Sequence, residues 1–94
     1  MTDGAHRGAA GVPPEQRCWR DTEGTHIDVR GLEPPGPLVA ILRLVDATLD
    51  SGPIIVHHDR DPRMLYPELA ERGWVATALA APPGEVRLSL VKLT

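Results

Sequence analysis

Residues 28 to 37 read DVRGLEPPGP, with Gly36 set among Pro34, Pro35 and Pro37. Proline fixes φ, offers no N–H, and pushes the residue before it towards extended backbone. Neither a strand nor a helix can run through such a stretch, so the chain must make a stiff junction here. Before it, THIDV (25–29) alternates, with Thr25, Ile27 and Val29 on one side and His26 and Asp28 on the other. That is a short one-sided strand. After it, LVAILRLVDATLD places Leu38, Ile41, Leu42, Val45 and Leu49 at helical spacing, one apolar stripe on one helix. Pro37 suits the first helical turn, where a missing N–H costs nothing.

The rest of the chain is punctuated in the same way. Ser51-Gly52-Pro53 ends the helix and turns the chain, and PIIVHH reads as a buried strand with a polar end. Asp61-Pro62 signals a helix start, with Asp61 as N-cap and Pro62 at the first helical position. Met64, Leu65 and Leu69 form that helix's apolar side, Gly73 is its stop, and Pro67 implies an irregular first turn or a restart there. Trp74 to Leu79 is a strand with Val75, Thr77 and Leu79 on one face. APPGE is a turn, and EVRLSLVKL alternates as a last strand. The order βαβαββ predicts an α+β fold, a two-layer α/β sandwich. Its four-stranded mixed sheet carries two helices on one face and leaves the other open to water.

A chain of 94 residues makes one small domain. Residues 1–24 lack apolar periodicity and read as a disordered leader, leaving 25–94 as the folded domain. Cys18 is the only cysteine, so no disulfide staples the monomer. No segment approaches the roughly 18 apolar residues of a membrane span or resembles a signal peptide, which predicts a cytoplasmic protein. Net charge is −3, the basic residues are scattered, and there is no Phe. These features argue against nucleic-acid and membrane-surface binding.

The junction also resembles a known motif. The TusA-like (SirA-like) sulfur-carrier fold carries D-x-R-G-L-x-C-P-x-P between its first strand and first helix. Asp28, Arg30, Gly31, Leu32, Pro35 and Pro37 match it, while Pro34 stands where that family has its reactive cysteine. HDRDPRMLYPELAERGW (58–74) is closer to an uncharacterised bacterial family, domain of unknown function 2249, thought to share that fold. The resemblance spans roughly residues 25 to 93. It implies the mount of a sulfur carrier without its chemistry, because a proline ring has no nucleophilic atom to hold a persulfide.

Several residues are candidates for function, each with a plainer alternative. Cys18, between Arg17 and Arg20, has the setting of a reactive thiolate, against an incidental cysteine in a tail. His57, His58 and Asp59, with Asp61 beside them, are the densest set of transition-metal ligands. Adjacent strand residues face opposite ways, however, and there is no C-x-x-C or H-x-x-x-H spacing. His26 and His57 could add ligands from a neighbouring strand. Arg30 shares a face with Asp28, and the two either form an ion pair or leave Arg30 to bind an anion near the helix start. Trp74 reads as core. No Ser-His-Asp set, phosphate-cradling loop or suggestive carboxylate pair is present.

These readings together predict a non-enzymatic module that binds a partner protein or small ligand, as a monomer or homodimer. The expected surface holds Arg30, His57, His58 and Asp59, mounted on Asp28, Gly31, Pro35, Pro37, Asp61 and Pro62. No cofactor is expected. The rivals are a sulfur-transfer or redox accessory acting through Cys18, and a transition-metal domain using His57, His58 and Asp59.

Overall fold

The computed structural model describes residues 17 to 93. Its elements are β1 (Cys18–Asp21), β2 (Gly24–Asp28), α1 (Gly36–Ala47), β3 (Ile54–His58), α2 (Leu65–Glu71), β4 (Trp74–Leu79) and β5 (Val86–Lys92). The strands form one mixed sheet in the order β1-β2-β3-β5-β4. Only β2 and β3 pair in parallel, joined through α1; the other neighbours are antiparallel. No helix among the described residues is long and apolar enough to cross a membrane.

The α+β class holds, and the strand count is corrected from four to five. The additional strand is CWRD, which the sequence reading placed in the leader; the part of that leader from residue 1 to 16 lies outside the described residues. β1 pairs with β2 around the Thr22-Glu23 turn, with Cys18 opposite Ile27 and Trp19 opposite His26. As an edge strand it sends only Cys18 towards the core, so it lacks the alternation that marks a half-buried strand. Gly24 closes the turn at φ +133, and a Cβ there would lie 2.5 Å from the Pro53 carbonyl oxygen. That carbonyl accepts the Thr25 N–H at 3.2 Å, which ties the hairpin to the start of β3.

The sheet register sorts side chains into two faces. Ile27, Ile54, Val56, Leu88, Leu90 and Trp74 pack with Ala40, Ile41 and Val45 of α1 and Leu65 and Leu69 of α2 in one core. Ile41, Ile54, Leu65 and Leu90 are completely buried. Each such side chain contributes on the order of 1.5–3 kcal/mol to holding the two layers together. The opposite face shows His26, Ile55, His57, Arg87 and Ser89, and then the exposed Val75, Leu79 and Val91.

Two local expectations change. α1 stops at Ala47, with Thr48 extended as its C-cap and the Thr48 Oγ1–H bonded to the Leu44 carbonyl. Leu49 therefore leaves the apolar stripe and is 96 % exposed. α2 begins at Leu65, so Asp61 is not its N-cap and Pro62 is not its first residue. Residues 61 to 65 instead make turns, Arg63 N–H to Asp61 O and Leu65 N–H to Pro62 O. Because α2 starts this late, Pro67 lies in its first turn, where a missing N–H needs no partner, and the helix neither breaks nor restarts at that residue.

Candidate functional site

The proline junction is held from both strands that flank it. β2 ends where Val29 N–H bonds the His57 carbonyl at 2.9 Å, and Gly31 then turns the chain at φ +82. Gly31 N–H donates to Asp59 Oδ2 at 3.1 Å, fastening the junction to the end of β3. That bond, more than the neighbouring Arg60, holds the Asp59 carboxyl below the usual carboxylate range. Arg30 forks onto Asp28, Nε to Oδ1 and Nη2 to Oδ2, both at 2.9 Å. Burial alone would raise the Asp28 carboxyl, and the Arg30 hydrogen bonds outweigh it and hold it low. Arg30 is thus engaged in an ion pair, with Glu85 Oε1 a further 3.6 Å contact.

Pro34, Pro35 and Pro37 line an open cavity of about 460 Å³ together with Met64 and Leu65. His58 lines the same cavity and is 3 % exposed. Its Nδ1 accepts the backbone N–H of Asp59 at 2.9 Å and of Arg60 at 3.3 Å. Burial pushes its pKa down, so the ring is neutral with its proton on Nε2. The approach of Nδ1 to Asp59 Oδ1 at 3.1 Å is then a contact and not a hydrogen bond, because both atoms are acceptors in this state. Arg60, Asp61 and Arg63 also line it, largely exposed, with Arg60 Nε 3.3 Å from Asp59 Oδ1 and Arg63 Nε 3.9 Å from Asp61 Oδ2.

Cys18 does not enter this cavity. It is half-buried beneath α1 and lines a separate hollow with Ile27, Val39 and Ala40. Pro34 and the thiol therefore belong to different sites.

His57 points the other way, onto the open sheet face. There Trp19, His26 and His57 form a stack, with centroids 4.9 Å apart for Trp19–His26 and 5.2 Å for His26–His57. A row of close polar contacts runs through the imidazoles: Asp21 Oδ1 to His26 Nε2 at 2.9 Å, His26 Nδ1 to His57 Nε2 at 2.9 Å, and His57 Nδ1 to Glu85 Oε2 at 3.1 Å. Burial would raise the Glu85 carboxyl, but hydrogen bonds from Arg87 and His57 outweigh it and hold it low. At the far end, the hydrogen bond from the Glu23 N–H above all keeps the Asp21 carboxyl low.

The four expected site residues thus divide. His58 and Asp59 belong to the junction cavity, Arg30 is tied to Asp28, and His57 joins His26 across the sheet, so His57 and His58 cannot share one ion. Sequence reasoning missed Trp19, Asp21, Glu85 and Arg87. The parity of HID in β2 and VHH in β3 could have placed His26 and His57 on one face, had the register been known.

A family model described as "uncharacterized conserved protein (DUF2249)" matches residues 26–92. No curated protein matches the chain.

Proposed function

The chain belongs to that family of uncharacterized conserved proteins, and we propose that it is a non-enzymatic binding module whose ligand enters the junction cavity. The observation that carries this reading is the cavity itself: about 460 Å³, lined mainly by prolines, leucines and Met64, with the neutral His58 imidazole and the charged Arg60, Asp61 and Arg63 as its polar groups. Such a site suits an apolar group bearing a hydrogen-bond acceptor, because His58 Nδ1 is taken and the ring retains an Nε2–H to donate. Arg60 and Arg63 in the lining stand beside Asp59 and Asp61, so the charge at the mouth is mixed and the His58 Nε2–H sets the preference for an acceptor such as a carboxylate. Met64 is 72 % exposed on the cavity edge and can adapt to a range of apolar shapes.

The element order from β2 to β5 supports reading the fold as a TusA-like scaffold. Pro34 has taken the reactive position and become part of an apolar wall, in place of a thiolate. A sulfur-transfer role through Cys18 gains nothing from its place beneath α1. Titration of the full chain with 4-methylpentanoate, followed by isothermal calorimetry, tests the proposal. Saturable binding that Met64→Trp abolishes by filling the cavity is the expected result. Binding unchanged by Met64→Trp, or none at millimolar probe, would reject it.

A further inference from the structure

The row of imidazoles on the open face is one cation short. Its three contacts, at Asp21, between the two rings, and at Glu85, each need a proton on a ring nitrogen, since an ionised carboxylate only accepts. Two neutral imidazoles carry two protons. Glu85 has the prior claim, because its side chain is 8 % exposed, whereas that of Asp21 is 45 % exposed and solvated. Glu85 Oε2 already accepts from Arg87. A His57 lone pair held 3.1 Å from that carboxylate, where water cannot come between, is nonetheless costlier than the same repulsion at the solvated Asp21. His57 therefore donates from Nδ1 to Glu85 and accepts at Nε2 from the His26 Nδ1–H. This leaves the Nε2 lone pair of His26, on a residue 4 % exposed, without a donor among the described residues and aimed at two carboxylates.

The geometry points to a divalent transition-metal site at that lone pair, with His26 Nε2, Asp21 and Glu23 as ligands. The three ligand atoms lie within 4.8 Å of one another. His26 Nε2 is 2.9 Å from Asp21 Oδ1 and 3.6 Å from Glu23 Oε1. Ligands that each sit about 2.1 Å from one ion are about 3.0–3.4 Å apart, so rotations of the two exposed acidic side chains complete the site. Behind the ion, His26 Nδ1–H to His57 and His57 Nδ1–H to Glu85 form an outer relay. It fixes both tautomers and raises the basicity of the ligating nitrogen. One imidazole with two carboxylates selects zinc, iron(II), cobalt(II) or manganese over soft copper(I). Three protein ligands leave coordination positions for water on the solvent side of the β1–β2 turn. The site is independent of the junction cavity, since His58 faces the other side of the sheet.

Equilibrium dialysis of the full chain against zinc(II) at pH 7.5, with cobalt(II) absorption as a second readout, tests the inference. One ion per chain is expected. His26→Ala should remove it, and so should Asp21→Asn combined with Glu23→Gln, which alters only an exposed turn and avoids disturbing the stack. Glu85→Gln should keep the stoichiometry and weaken affinity about 10–100-fold. Metal binding that survives the double variant would overturn the site. So would a native chain that binds no metal and shows His26 Nε2 protonated by nitrogen NMR at that pH, the missing cation then being a proton.

Discussion

His57 and His58 are consecutive in β3 and open onto different chemistry on opposite sides of the sheet. His57 Nδ1 meets Glu85 at 3.1 Å on the open face, while His58 Nδ1 takes the Asp59 N–H at 2.9 Å in the cavity lined by residues from both helical segments. The pleat that separates them gives one short strand a part in two sites, and the two rings answer to different perturbations.

For His58 the perturbation is pH. Burial lowers its folded pKa, whereas the unfolded imidazole takes a proton near about 6.5. Below that pH the unfolded state binds more protons, so the stability from neutral His58 is present above about 6.5 and is lost as pH falls through the lowered folded value. Urea midpoints measured from pH 8 to 5 should fall below about 6.5, and fall less in His58→Asn, whose amide oxygen can still accept the backbone N–H groups. An equal decline in both proteins would assign the effect elsewhere.

Tyr66 is the only tyrosine in the chain, so its ionisation can be read by absorbance alone. Burial, then the hydrogen bond from its hydroxyl to Asp61, pushes its pKa up to about 12. Asp61→Asn should bring the 295 nm titration midpoint back towards the ordinary value near about 10. A native midpoint already at that value would show that the contact does not persist in solution.

The fifth strand makes a prediction about chain length. A chain beginning at Arg17 retains β1, whereas one beginning at Thr25 loses Trp19 from the His26 stack, along with the Asp21 contact. It also bares the edge of β2 for pairing with other chains. The shorter chain should lose at least about 2 kcal/mol, from the stacking and a buried ring left unpaired. Guanidinium unfolding of the two chains measures this, and equal stability would remove β1 from the fold.

Two glycines with positive φ separate conformational strain from collision. Gly84 sits at φ +84 with nothing among the described residues within 4 Å of a Cβ, while at Gly24 a Cβ would lie 2.5 Å from the Pro53 oxygen. Gly84→Ala should cost about 1–2 kcal/mol, the left-handed penalty alone. Gly24→Ala should cost about 3 kcal/mol or more, because backbone must move as well. Thermal melts of both variants decide it.

The parts of this molecule legible in the sequence are those written in period and punctuation. THIDV, the Ile41–Val45 stripe and the Trp74–Leu79 strand follow from alternation and helical spacing, and PPGP marks the junction where the structure has it. β1 was illegible because an edge strand with one half-buried residue leaves no pattern, and its pairing is a tertiary fact. Asp61 misled for a related reason: Asp-Pro is a good helix start, but a turn and the Tyr66 hydroxyl claimed that residue, and the helix began at Leu65. For the candidate site, residue types were readable and partners were not. Opposite facing of His57 and His58 follows from the pleat, whereas the meeting of His26 with His57, and of both with Glu85, depends on a strand register that no local signal carries.

Amide chemical-shift mapping of the full chain with 4-methylpentanoate tests the central claim most directly. Saturable shifts should concentrate on residues 32–38 and 58–65, with the His58 Nε2–H moving downfield and His26 and His57 undisturbed. Shifts centred on the open sheet face, or scattered without saturation, would contradict the assignment of the junction cavity as the binding site.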